Sequence, residues 1–181
     1  MKVQDEVLAV PGQERRKLLQ LAALGGGVTL LAAGGLLPEA KAAGATDALL
    51  LSCMDFRLMD EIERYMGETR GLRDKYDHIV LAGASLGAVT DQFPAWNKTF
   101  WEHLDVAIKL HNIHTVIVMD HRDCGAYKVI LGEEAVNDAD KEKAAHVEQM
   151  AKLKGMIAER YPKLKVETLL MALDGTVEEI A

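Results

Sequence analysis

Thr115-Val116-Ile117-Val118-Met119-Asp120-His121-Arg122-Asp123-Cys124-Gly125 runs from five residues, four of them β-branched, straight into a polar turn carrying a histidine and a cysteine three positions apart. A short apolar run bounded by a turn reads as a buried strand, and its lack of alternation predicts cover on both faces. Three more runs have this character: Ala48 to Cys53, His78 to Ala82 and Val166 to Ala172.

Segments of helical period separate them. Phe93-Pro94 opens one in which Phe100, Trp101, Leu104, Ala107, Ile108 and His111 recur at spacings of three and four. Asp140 to Arg160 is a second, with Ala144, Val147, Ala151 and Ile157 as the inward stripe and Tyr161-Pro162 as the stop. Strands alternating with crossover helices predict an α/β fold: a three-layer domain with a mostly parallel β-sheet of about four strands flanked by helices.

With 181 residues, 49% of them hydrophobic and 27% charged, the chain has the composition of one globular domain. A net charge of −7 excludes nucleic acid as a natural partner, because a phosphate backbone selects clustered Lys and Arg. Residues 1–42 have a different composition. Arg15-Arg16-Lys17 precedes an apolar run from Leu18 to Leu37, followed by the small-x-small pattern Ala40-Lys41-Ala42. That order is read as a twin-arginine-like signal peptide, leaving residues 43–181 as an exported, periplasmic domain with a net charge of −8. The alternative is an uncleaved membrane anchor, since about 20 apolar residues can span a bilayer. A mature chain of this size buries a modest core, so a homodimer or higher homo-oligomer is expected.

The chain has two cysteines, Cys53 and Cys124, and each follows the C-terminal end of an expected strand. Ligands of open parallel sheets bind beyond those ends. His121 and Cys124 can reach one ion from a single turn, with Cys53 as a third ligand from a neighbouring strand. Two thiolates and an imidazole suit Zn²⁺ and leave a fourth tetrahedral position for water or another group. A Cys53–Cys124 disulfide is the competing reading for an exported protein, but it leaves Asp55, Arg57 and His121 without a shared purpose.

Cys53-x-Asp55-x-Arg57 and His121-x-x-Cys124-Gly125 resemble the two signature motifs of β-class carbonic anhydrases, and the tail Met171-Ala172-Leu173-Asp174-Gly175-Thr176-Val177 is similar to that family's last strand and turn. The resemblance implies a dimer-based zinc enzyme that interconverts carbon dioxide and bicarbonate, with Cys53, His121 and Cys124 as metal ligands. It also implies that Asp55 either takes the fourth position or pairs with Arg57 and leaves it open. Relatives with the same ligands hydrolyse carbonyl sulfide or carbon disulfide, and a non-catalytic zinc protein is the third possibility.

Family members usually carry Arg-Asn-Ala-Gly where this chain has Val80-Leu81-Ala82-Gly83, which predicts a more apolar pocket there. Gln92 is the one mid-chain glutamine available in place of the family's substrate-binding Gln, in a different context. Asp123 could orient a ligand or Arg57, or cap the following turn. Gly83 to Gly87 reads as a backbone turn near the metal pocket, and His78, His103, His111, His114 and His146 read as structural.

Overall fold

The computed structural model describes residues 44–180; the expected signal segment lies outside the described residues. Five strands form one sheet in the order β2-β1-β3-β4-β5. β1 (Ala48–Ser52), β2 (Tyr76–Val80), β3 (Thr115–His121) and β4 (Lys165–Met171) pair in parallel. The fifth strand, β5 (Val177–Glu179), returns antiparallel to β4. It was hidden in the sequence because it is three residues long and contains two glutamates, so it presents no apolar run.

β1 is buried throughout, and Leu50 and Leu51 have no exposed surface. Truncating either to Ala would cost about 2–5 kcal/mol, the usual range for a buried leucine. β3 is buried beyond Thr115. β2 departs from the expectation of cover on both faces: as an edge strand it leaves His78 and Val80 exposed.

Helices cover the two sheet faces unequally. On one face, Phe100, Leu104 and Ala107 of the long helix Pro94–His111 and Met150, Leu153 and Ile157 of the helix Ala139–Arg160 pack on Leu49, Leu51, Val116 and Val118. On the other, a 3₁₀ turn (Phe56–Leu58), helix α1 (Met59–Arg64) and a π-helical turn (Tyr65–Thr69) bring Leu58, Ile62 and Met66 onto Leu50, Ile117, Met119 and Met171. In chain order the remaining helices are α2 (Ser85–Val89), α3 (Pro94–His111), α4 (Gly125–Leu131) and α5 (Ala139–Arg160).

Helix ends follow local chemistry. Pro94 sits in the first turn of α3, where its missing N–H costs nothing, and Asn112 closes the helix in the left-handed region at φ 53°. Asp138 caps α5 by accepting from the amides of Asp140 and Lys141 at 3.0 and 2.9 Å. The inward stripe of α5 differs from the expected one. Ala144 and Ala151 face solvent, whereas His146, Gln149, Met150, Leu153 and Ile157 are buried. The true stripe includes a histidine and a glutamine, which an apolar pattern skips. Among the described residues, no helix is long and apolar enough to cross a membrane.

Candidate metal centre

β1 and β3 lie side by side at the centre of the sheet, while their crossovers lead to opposite edges. A crevice opens at the carboxyl ends of such a strand pair. Cys53 directly follows β1, His121 ends β3, and Cys124 is the residue before α4. The crevice therefore collects all three residues expected to meet.

All three are buried, and their donor atoms lie within 4.8 Å of one another. The Cys53 and Cys124 sulfurs are 3.8 Å apart. Two zinc–sulfur bonds of about 2.3 Å at a tetrahedral angle require a separation of about 3.8 Å, so the sulfurs already stand at the spacing one ion needs. His121 donates through Nδ1 to the Arg122 carbonyl at 2.8 Å, while its buried Nε2 has no hydrogen-bond partner. An orphaned imidazole nitrogen beside two sulfurs is the chemistry of a metal ligand. Both cysteines are free thiols, so the disulfide reading does not describe this structure.

The electrostatics favour a thiolate. Contacts with Cys124 and His121 and the Gly83 N–H at 3.3 Å pull the Cys53 thiol well below its ordinary range, against the opposing effect of burial. Cys124 moves the other way, through the neighbouring Cys53 and through burial, because two adjacent thiolates without a cation between them repel. Burial opposes a charge on His121, yet the Cys53 contact raises its proton affinity above the usual imidazole value.

Asp55 and Arg57 form the second layer. Arg57 donates from Nε to Oδ1 at 2.9 Å and from Nη2 to Oδ2 at 2.8 Å, and its backbone amide also reaches Oδ1 at 3.0 Å. These bonds hold the Asp55 carboxyl down to about 2. Asp55 Oδ2 nevertheless stands 3.8 Å from His121 Nε2. Asp123 orients Arg57, accepting from Nη1 on Oδ2 at 3.0 Å and from Nη2 on its carbonyl at 3.1 Å. Its own backbone, at φ 56°, is anchored by Glu142 at the start of α5.

A cavity of about 380 Å³ opens beside Cys53 and Asp55. Met54, Phe56, Ala82, Phe93, Trp96, Gly125, Ala126, Val129 and Ile130 complete its lining. Phe93 and Trp96 stack with ring centroids 4.1 Å apart. The pocket is apolar as expected, but for a different reason: of the Val80-Leu81-Ala82 stretch only Ala82 reaches it, and Met54 and Phe56 after β1, Phe93 and Trp96 at the start of α3 and the α4 residues supply the rest. Gln92 donates to the Ile130 carbonyl at 3.0 Å and is a loop tether, not a pocket residue.

Sequence reasoning missed what lies beneath the cysteines. Asp120, 1% exposed, is bonded by Ser85, Tyr127 and His146, all equally buried. Its position next to His121 was the available signal, since a carboxylate inside an apolar strand needs partners. The other histidines behave as expected of structural residues: His78 contacts Ser52 Oγ at 2.7 Å, His111 contacts Asp77 at 2.6 Å, and His103 bonds the Thr99 carbonyl at 2.8 Å.

Fold and donors together define an α/β protein with a buried Cys-His-Cys group at the switch point of a mostly parallel sheet. Residues 43–181 match the family described as "Putative carbonic anhydrase". The chain belongs to that family. It is 44% identical over 140 residues to an uncharacterised protein of Rickettsia conorii, covering 77% of this chain and 75% of that one. An uncharacterised protein of Rickettsia bellii is 43% identical over 140 residues, covering 77% and 85%. Among solved structures, the carbonic anhydrase of Glaciozyma antarctica superposes with a TM-score of 0.51 at 17% identity, covering 96% of this chain and 97% of that one. One of two tetrameric β-carbonic anhydrases of Sordaria macrospora gives 0.51 at 11% identity, covering 93% of each. At these identities the likeness concerns the fold: five strands, mostly parallel, flanked by helices.

Proposed function

We propose that the protein is a zinc-dependent carbonate dehydratase that hydrates carbon dioxide reversibly to bicarbonate. The carrying observation is the pairing of tetrahedrally spaced sulfurs with an orphaned His121 Nε2, while Arg57 draws Asp55 aside. Cys53, His121 and Cys124 would hold the ion. Bound in such a site, zinc supplies a hydroxide nucleophile near neutral pH. The chain's own contributions are distinct from this. Gly83 N–H steadies the Cys53 sulfur, the Arg57 clamp leaves the fourth position open, and the Phe93 and Trp96 wall holds bulk water away from an apolar substrate.

A second reading has its own support. Among the lining residues, the only side-chain N–H donor is the Trp96 indole, which suits carbonyl sulfide or carbon disulfide at least as well as an anion such as bicarbonate. Homo-oligomerisation also belongs to the proposal. Phe56, 85% exposed, and Val129, 77% exposed, stand at the cavity mouth as apolar surface a second subunit would cover. Export through a twin-arginine-like signal and a periplasmic location complete it, supported by the composition of residues 1–42.

The test is zinc content and turnover on carbon dioxide and on carbonyl sulfide by purified protein, alongside Asp55→Ala and Cys124→Ser. One zinc per chain with turnover on either substrate, lost in both variants, is expected. Stoichiometric zinc with no turnover on either would leave a non-catalytic zinc protein, and no zinc would overturn the site.

A further inference from the structure

Asp120 is costly where it stands. A carboxylate at 1% exposure inside an apolar strand is unfavourable unless fully bonded, and an aliphatic residue would fill the same space without that demand. Its bonds have a pattern. Oδ1 accepts the Ser85 amide at 2.9 Å; Oδ2 accepts the Ser85 hydroxyl and the Tyr127 hydroxyl, each at 2.6 Å, and His146 Nδ1 at 3.0 Å. The donors come from three segments: the first residue of α2, the helix α4 that begins after Cys124, and α5.

Ser85 holds a strained turn. Leu86 N–H returns to the Gly83 carbonyl at 3.0 Å, which puts Ala84 at the first central position of a tight turn, with φ 40° and ψ −101°. That backbone region is normal for glycine and unfavourable for alanine, so something must impose it. The residue on one side of Ala84 is Ser85, gripped twice by Asp120. On the other side is Gly83, whose N–H points at the Cys53 sulfur at 3.3 Å. Tyr127 reaches the same carboxylate from the first turn of α4, whose amides approach the Cys124 sulfur.

We propose that Asp120 is a positioning residue for the metal centre: through Ser85 it imposes the Ala84 turn that aims the Gly83 amide at Cys53, and through Tyr127 it fixes the helix start that carries Cys124. This inference rests on the zinc reading above. Asp120 touches neither donor sulfur; it sets where the sulfurs and their amide partners stand.

The experiment measures zinc affinity by competition with a chromophoric chelator, and the sulfur-to-metal charge-transfer band of cobalt(II)-loaded protein at saturation. It compares wild type with Asp120→Asn, Tyr127→Phe, Ser85→Ala and the double variant Asp120→Asn/Ala84→Gly. Wild type that binds neither ion sinks the metal reading itself, which separates that failure from this one. With wild type loaded, Asp120→Asn should bind zinc about 10–100-fold more weakly and show an altered cobalt band, with part of the affinity restored by Ala84→Gly because glycine adopts the turn unaided. Loss of stability alone leaves the saturated cobalt spectrum unchanged. Native affinity and spectrum in Asp120→Asn overturn the proposal, as does a weakened site that Ala84→Gly leaves unrestored. Should Asp120→Asn not fold, Tyr127→Phe and Ser85→Ala decide: weakened zinc binding supports the role, and native binding in both overturns it.

Discussion

Asp55 Oδ2 stands 3.8 Å from His121 Nε2 and is kept from coming closer by the two-pronged grip of Arg57. A carboxylate so near three donors is a competitor for the same ion once its cation is removed.

Arg57→Gln should therefore lower turnover by about 10–100-fold while zinc affinity is unchanged or tighter. Steady-state rates and chelator competition on the same preparation check this. Weakened zinc binding would show that Arg57 supports the metal instead of guarding the open position.

Metal removal should expose the thiol pair. In metal-free protein, the sulfurs at 3.8 Å need a small approach to form a bond of about 2.05 Å, so a mild oxidant should consume two thiols per chain. Loaded protein should keep both until the metal is stripped. Thiol titration with and without chelator reads the difference.

Gly87 has no room for a side chain, since a Cβ there would meet the Ala82 carbonyl oxygen at 2.4 Å, a backbone atom that cannot turn away. Gly87→Ala should destabilise by about 1–3 kcal/mol and disturb the Gly83 loop. A lower Tm together with weaker zinc binding is expected; an unchanged Tm would contradict the packing.

The acid response of the Asp55 pair has a defined sign. Arg57 depresses the folded-state value to about 2, so the pair's contribution is fully present above the unfolded value of about 3.9 and is lost as pH falls through about 2. In metal-free protein, the Tm gap between wild type and Asp55→Asn should be constant from neutral pH to about 5 and should close toward pH 2. An activity profile inflecting near neutrality accordingly reports some group other than Asp55.

Much of this was legible in the sequence because the decisive signals are local. Leu49 to Ser52 and Val116 to Met119 are buried on both faces and read as continuous apolar runs, and Cys53, His121 and Cys124 follow them directly. What escaped was either too short or too distant. β5 has three residues, and α1 covers its face through little more than Ile62. The α5 stripe was misphased because its inward His146 and Gln149 are polar. Asp120 is satisfied by Ser85, 35 positions away, and by His146, 26 positions away, and no spacing rule connects such partners. The pocket wall was likewise assigned to Val80 and Leu81, which are near in sequence, when Trp96 and Val129 supply it through the tertiary fold.

The two sulfurs belong to residues 71 positions apart, with α1, β2, α2, α3 and β3 between them. A growing chain that has made Cys53 has no second thiolate to offer until β3 has been synthesised and inserted beside β1. On the zinc reading, metal capture would wait on the pairing of β1 with β3, two strands far apart in the chain, and an occupied site would report that this central pair has formed even before β4 and β5 are added.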